Sequence, residues 1–206
     1  MKQCSPIFLL FTFLLLSCVD KQPGLTLKNT DADSITFYTK KSSDYSSSLE
    51  LRCKYGDKAF DLAQKSNNFS VLYKTLYIKI QNDIEANGDS IEYNFKRLKK
   101  IVSKSNDANF KAGFNSLKAT SFTKKDSSYF YFQKAKNEYI LLNDSLRAGY
   151  NLLKLSEIAM ETSNFNDVQE YATEALKLLK GKKSREYVSH LNNMIGLSFA
   201  DRKSVV

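Results

Sequence analysis

The chain has 206 residues, with 31 basic and 22 acidic side chains, a formal net charge of +9 and a hydrophobic fraction of 42%. These values are typical of a globular protein and exclude a chain that is disordered throughout. One His, three Cys and no Trp leave few residues for a disulfide framework, a His-based metal site or a catalytic triad. Seven glycines and two prolines are few turn residues for a β-sandwich or a phosphate-loop enzyme, but they suit an array of helices.

The first predicted element is a targeting segment. Lys2 precedes an apolar run from Pro6 to Leu16. This run is shorter than the roughly 20 residues of a membrane-spanning helix, and it is typical of the apolar part of a signal peptide.

The run ends in Leu15-Leu16-Ser17-Cys18, which resembles the lipobox of bacterial lipoproteins, Leu-x-small-Cys. In that family the chain is cut just before the Cys, which then carries the lipid. The resemblance implies a signal peptide of residues 1–17, palmitate-type acyl chains on Cys18 and a membrane-anchored lipoprotein of the cell envelope, in either leaflet. A plain secretory signal with an unrelated Cys is the alternative.

We predict that Cys18 is lipidated. Two acyl chains anchor a protein stably where one does not, because each buried CH₂ contributes about 0.8 kcal/mol. Metabolic labelling with a fatty acid should therefore mark the wild-type protein but not the Cys18→Ala variant. Equal labelling of both proteins would contradict the prediction.

Residues 18–48 follow as a polar segment rich in Ser, Asp and Lys, which predicts the anchor site and a flexible, disordered tether. From Leu49 onward, apolar residues recur every three or four positions and therefore stack on one face of successive helices. Turn-forming residues separate these helices. The predicted breaks are Asn87-Gly88-Asp89, Ser105-Asn106-Asp107, Asn143-Asp144-Ser145, Ser163-Asn164 and Gly181. The sequence therefore predicts an all-α fold over residues 49–200.

The predicted helices repeat along the chain. The segment from Asn106 to Phe114 is similar to the segment from Asn143 to Tyr150, and Gly113 and Gly149 lie 36 residues apart. A period of this length, built from two helices, is typical of a solenoid.

One of these repeats resembles the tetratricopeptide repeat, in which large and small apolar residues alternate at set positions. The matching residues are Leu152, Leu155, Ser156, Ala159, Phe165, Val168, Ala172 and Ala175. The same register places Ile80, Ala119 and Ile195 at the position that Leu155 holds. The resemblance implies a right-handed superhelical solenoid of antiparallel helix pairs, in which Ala172 and Ala175 allow two helices to approach closely.

In the tetratricopeptide family, the first helix of each repeat lines a concave groove. The resemblance therefore implies a groove for a protein or peptide ligand, a mode that aromatic and Met side chains suit. The implied groove residues are Phe114, Leu117, Tyr150, Leu153, Glu157, Met160, His190 and Asn193. A groove that holds nothing specific, or that is filled by the chain itself, is the alternative.

Searches for other chemistry give no support for catalysis. The chain has no phosphate-loop, dinucleotide-binding, zinc-protease or nucleophile-elbow motif. Its lysines are scattered without interleaved aromatic residues, so we expect no nucleic-acid partner. We predict a protein that is not an enzyme and that has no metal and no small-molecule cofactor. A glycan-binding lipoprotein is a further interpretation, but sugar binding would require Trp for stacking on the sugar, and the chain has no Trp.

The sequence also supports a second function. The segment from Asn143 to Leu152 resembles the extracytoplasmic repeats of some bacterial sensor kinases and helix-turn-helix regulators. The alternative function is therefore the sensory repeat region of a truncated signal-transduction protein, a histidine kinase or DNA-binding regulator whose output domain is missing. Residues 201–206 read Asp-Arg-Lys-Ser-Val-Val, which resembles a translated sequencing adapter, so we predict a non-native tail there.

Overall fold

The computed structural model describes residues 29–182 and 184–204, and these residues form nine α-helices joined by short connections. The helices are α1 (Asn29–Ser42), α2 (Leu49–Ala63), α3 (Phe69–Glu85), α4 (Ile91–Ser105), α5 (Ala108–Thr120), α6 (Lys125–Leu141), α7 (Ser145–Glu161), α8 (Phe165–Leu179) and α9 (Arg185–Ser204). The described part is all-α, as the sequence predicts. The predicted signal peptide and Cys18 lie outside the described residues.

Each helix packs against the next helix in the chain, which is the arrangement expected of successive helix pairs. In addition, α1 contacts α3, α3 contacts α5, and α7 contacts α9. These contacts bring α1, α3 and α5 side by side, and α9 beside α7. The fold is therefore compatible with a helical repeat.

The apolar core is divided among the helix pairs. The largest cluster joins α7, α8 and α9 through Leu152, Leu155, Val168, Leu179 and Leu191, and a second cluster joins α2, α3, α4 and α5. Ala172 and Ala175 are fully buried in the first cluster. Small side chains at these positions let α8 lie close to α7, because any larger group would overpack a dense interior.

Asn residues end several helices, where the sequence predicts breaks. Asn87, Asn106 and Asn143 adopt positive φ angles of 51°, 55° and 57°, as do Ser163 and Gly181 at the ends of α7 and α8. Asn tolerates this left-handed conformation because its short polar side chain bonds locally. The predicted helix boundaries at these five turns are therefore confirmed.

Gly113 and Gly149, which hold matching positions in the two similar segments, lie inside helices. Each allows a neighbouring side chain to contact the helix backbone. A Cβ atom on Gly113 would stand 2.2 Å from the Tyr73 hydroxyl, and one on Gly149 would stand 2.7 Å from Leu179 Cδ2. In both similar segments, the glycine therefore lies where a side chain from another helix approaches the backbone closely.

The N-terminal helix corrects one prediction. Residues 29–42 were expected to belong to a flexible tether, but they form α1, which packs along α2 and also contacts α3. Ser42 is fully buried: its hydroxyl donates to the Arg52 carbonyl at 3.0 Å and accepts from Asn82 Nδ2 at 2.9 Å. The tether prediction is wrong over α1, because polar contacts of this kind leave no apolar pattern in the sequence.

The far end of the chain extends the last predicted helix. The sequence predicts that this helix runs from Ser184 to Ala200, and α9 continues to Ser204. Residues 201–204 of the predicted non-native tail are thus helical. The helical conformation of these residues does not test whether they are native to the protein, so the non-native tail stays a prediction.

Candidate binding cleft

A cleft of about 900 Å³ opens between α3, α5, α7 and α9. Six of the twelve tyrosines in the chain line it, together with Phe110. The six are Tyr45, Tyr73, Tyr77, Tyr139, Tyr150 and Tyr187. Tyr45 comes from the connection between α1 and α2, the other five tyrosines come from α3, α6, α7 and α9, and Phe110 comes from α5. We call this feature the tyrosine cleft.

The rings of the tyrosine cleft hold one another in place. Tyr73 stacks face to face on Phe110, with ring centroids 4.0 Å apart and planes at 3°. The ring centroids of Tyr77 and Tyr73 lie 5.7 Å apart, and those of Tyr150 and Tyr187 lie 5.8 Å apart. Such ring pairs contribute about 0.5–1.5 kcal/mol each beyond the area that they bury. These ring contacts therefore stabilise the walls of the cleft.

Most phenol hydroxyls of the cleft have no hydrogen-bond partner within the described residues. In the part of the chain that the structure describes, five of them take part in no hydrogen bond. These are the hydroxyls of Tyr45, Tyr73, Tyr77, Tyr150 and Tyr187. Burial raises the pKa of Tyr73, Tyr77 and Tyr150 above the usual value of 10.0. These three phenols are therefore neutral hydrogen-bond donors at physiological pH.

Tyr139 should make the protein less stable at alkaline pH. Burial raises the pKa of Tyr139 to about 12, and Arg147 beside it opposes the rise. The unfolded chain has a phenol pKa of about 10, so between these values only the unfolded chain releases the proton. The contribution of Tyr139 to stability is complete below pH 10 and is lost as the pH rises to about 12.

Urea denaturation at several alkaline pH values measures this loss. The free energy of unfolding should fall more steeply with pH in the wild type than in Tyr139→Phe, which has no proton to lose there. Tyr93→Phe is the matched control, because Tyr93 is 63% exposed and lies on α4. An identical pH slope in the wild type and Tyr139→Phe would contradict the assignment.

One fully buried amide lines the tyrosine cleft without a partner for its oxygen. Asn151 Nδ2 donates to the Arg147 carbonyl at 2.7 Å, but Asn151 Oδ1 has no hydrogen-bond partner among the described residues. An unsatisfied buried polar atom costs about 1–3 kcal/mol. Native proteins seldom retain that cost without a reason, so Asn151 Oδ1 is a candidate acceptor for a ligand N–H group.

The charged residues that line the tyrosine cleft are all basic. Lys74 and Arg147 line it, and no Asp or Glu is among the lining residues that the structure describes. The Arg147 guanidinium lies 5.6 Å from the Tyr139 ring centroid and 3.4 Å from Asp144, which caps α7. The cleft therefore offers hydrogen-bond donors and positive charge, with one buried acceptor.

The predicted groove residues divide between cleft and core. Tyr150 and Leu117 line the tyrosine cleft, although Leu117 is only 1% exposed and belongs to the core. Leu153 is 4% exposed within the α7–α8–α9 cluster, so the prediction that it faces an open groove is wrong. Phe114 and Met160 are partly buried against the core. The reason is that α6, α8 and α9 together cover most of α7.

The remaining predicted residues form a separate polar cluster between α7 and α9. Glu157 lies 3.4 Å from His190 Nε2 and accepts a hydrogen bond from Lys154 Nζ at 2.8 Å. Asn193 is exposed near His190, and neither residue lines the tyrosine cleft. Partly exposed ion pairs of this kind contribute about 0–1 kcal/mol. This cluster is a surface feature beside the cleft.

Sequence reasoning missed the residues that define the cleft. Tyr73, Tyr77, Tyr139 and Tyr187 recur at helical spacing, and that spacing indicates packing between helices. A usable signal was the hydroxyl group, because a buried tyrosine normally finds a hydrogen-bond partner. Four tyrosines on helices with few nearby polar partners would have indicated a surface where a ligand supplies the partners of the hydroxyl groups.

The rest of the described chain shows no membrane span and no metal site. Among the described residues, no helix has both the length and the apolar character needed to cross a bilayer. The same residues contain no group of three or more His, Cys, Asp or Glu that could hold a metal ion. Cys53 is a half-buried free thiol whose pKa is raised by burial.

In comparisons with known proteins, the sequence matches no family and no curated protein.

Proposed function

We propose that this chain is a tetratricopeptide-like repeat module that binds a protein or peptide partner in the tyrosine cleft. The observation that carries the proposal is the cleft itself, with six tyrosines around about 900 Å³. A right-handed solenoid of helix pairs is part of the proposal, supported by the sequential packing of the helices and by the 36-residue spacing of Gly113 and Gly149.

The chemistry of the cleft favours an extended peptide with acidic side chains. Phenol hydroxyls, Lys74 and Arg147 donate hydrogen bonds, and no carboxylate is among the described lining residues. Asp144, outside the lining, pairs with Arg147, which leaves Lys74 as the cation of the cleft without an ion pair in the described part of the chain. A peptide backbone also supplies the N–H group that Asn151 Oδ1 lacks. The tyrosine rings add rigid apolar contact area at a low cost in side-chain entropy.

The proposed setting is the bacterial cell envelope. The lipobox-like motif at Cys18 supports attachment to a membrane there. A partner of the tyrosine cleft would then be another envelope protein or a segment of one.

A peptide-binding experiment tests the function. The full chain is applied to immobilised acidic, neutral and basic peptides of equal length, and the retained peptides are titrated by fluorescence anisotropy. We expect retention of acidic peptides, with an affinity that falls as salt is added. The double variant Tyr77→Phe with Tyr150→Phe keeps the rings and removes two donors. It should bind at least about tenfold more weakly, because tenfold corresponds to about 1.4 kcal/mol and a single hydrogen bond to a charged group contributes about 1.5–3 kcal/mol.

A matched control separates binding from a general effect of losing tyrosine hydroxyls. Tyr55 and Tyr93 do not line the tyrosine cleft, so Tyr55→Phe with Tyr93→Phe should bind like the wild type. Retention of no peptide class, or equal binding by the cleft variant and the wild type, would overturn the proposal. A preference for basic peptides would overturn the assignment of an acidic partner.

A further inference from the structure

A second pocket lies at the turn between α8 and α9, and nothing in the proposed function uses it. Its volume is about 1100 Å³. One part of its lining is apolar, formed by Leu146, Leu176, Leu179, Tyr187 and Val188. Leu146 and Tyr187 also line the tyrosine cleft, so the two sites are neighbours. We call this second site the α9 pocket.

The polar part of the α9 pocket is strongly basic. Lys177, Lys180, Lys182 and Arg185 line it, and all four are exposed. No ion pair engages any of them within the described part of the chain. Glu186 is the acidic residue among the described lining residues. The unpaired positive charge therefore exceeds the negative charge around this pocket.

Ser184 supplies an observation that is independent of this charge. Its carbonyl accepts the Val188 N–H at 3.0 Å, the first hydrogen bond of α9, so Ser184 holds the N-cap position. The side chains of Ser48, Asn68, Asp107, Asp144 and Asn164 accept a backbone N–H at the starts of their helices. Ser184 is only 6% exposed and lines the α9 pocket, yet its hydroxyl has no partner among the described residues.

We propose that the α9 pocket binds a phosphate-type oxyanion. The N-terminus of a helix carries a partial positive charge and unpaired N–H groups, which suit an anion. The Ser184 hydroxyl can donate to the same anion, and Lys180, Lys182 and Arg185 can neutralise it. The oxyanion is either free inorganic phosphate or the phosphate headgroup of a lipid whose acyl chain contacts the apolar lining.

Two assays on the full chain distinguish these sources. Titration calorimetry with sodium phosphate, against sodium chloride at equal ionic strength, measures binding of the free ion. Co-sedimentation with phosphatidylcholine vesicles, with or without phosphatidic acid, measures binding of the headgroup. Saturable binding in either assay is the expected result. Absence of binding in both would overturn the proposal.

Four variants test whether the pocket itself is responsible. Ser184→Ala should weaken binding about tenfold, and Lys180→Glu with Lys182→Glu should abolish it. Ser48→Ala removes a cap on α2, and Lys99→Glu with Lys100→Glu makes the same charge change on α4, which contacts neither α8 nor α9. Both controls should bind like the wild type, and circular dichroism should show equal helicity throughout.

Equal losses in the pocket and control variants would overturn the proposal, because general electrostatic attraction would then explain the binding. Unchanged binding by Ser184→Ala would also overturn it, since the buried hydroxyl would then not contact the anion. The outcome is separate from that of the peptide assay, because the Tyr77→Phe and Tyr150→Phe double variant leaves the polar groups of the α9 pocket intact.

Discussion

The Leu153→Ala variant is expected to lose about 2–5 kcal/mol of its free energy of unfolding, as large-to-small changes in a core do. Leu153 is 4% exposed and belongs to the cluster that joins α7, α8 and α9. The truncation removes apolar contacts and leaves a cavity that neighbouring helices cannot fully close. Urea denaturation followed by circular dichroism measures the loss as a lower midpoint with an unchanged slope.

Leu197→Ala is the matched control for this loss. Leu197 lies on α9 and is 48% exposed, so its truncation should change the free energy of unfolding by no more than about 0.5 kcal/mol. Equal stability of Leu153→Ala and the wild type would mean that Leu153 faces an open groove. The tetratricopeptide register would then describe the exposed face of α7 better than the structure does.

The helix boundaries were predictable because they depend on local chemistry. Asn106 and Asn143 each end a helix in the left-handed conformation, and the Asp that follows each of them caps the next helix. Both effects act within about one helical turn, so a short stretch of sequence contains all the information. The burial of Ala172 and Ala175 was predicted from the resemblance to the tetratricopeptide repeat, which implies small residues where two helices meet.

The exposed face of α7 was less predictable. Ala148, Asn151, Leu152, Leu153 and Leu155 are all buried, and they cover a wide arc of the helix. A helix that several neighbours surround has no single apolar stripe, so its pattern does not say which side faces a ligand. The register of the repeat therefore located the helix correctly but placed Leu153 on the wrong side.

The tyrosine cleft depends on contacts between residues that are distant in the chain. Tyr45 and Tyr187 line the same cleft although 142 positions separate them. No spacing rule connects such residues, because their proximity follows from how several helices stack. The helix α1 escaped prediction for a similar reason, since its buried Ser42 is held by Asn82 on α3.

The Asn151→Leu variant is expected to gain free energy of unfolding. Removing the unsatisfied amide oxygen contributes about 1–3 kcal/mol, and losing the Nδ2 hydrogen bond to the Arg147 carbonyl offsets about 0.5–1.5 kcal/mol of that gain. Asn151 is fully buried in α7, and its Oδ1 atom has no partner among the described residues. Leucine also has the higher helix propensity of the two residues. The same change should weaken binding of acidic peptides, because it removes a candidate acceptor from a residue that lines the cleft.

Asn115→Leu is the control with the opposite expected sign. Asn115 occupies the equivalent place 36 residues earlier, is 3% exposed, and donates from Nδ2 to Glu138 Oε2 at 2.7 Å. Its replacement breaks a hydrogen bond to a carboxylate and should lower the free energy of unfolding by about 1–3 kcal/mol. Thermal and urea denaturation of both variants measure the contrast. A stability loss in Asn151→Leu like that in Asn115→Leu would show that the Asn151 amide stabilises the fold. The amide would then not be assigned to ligand binding.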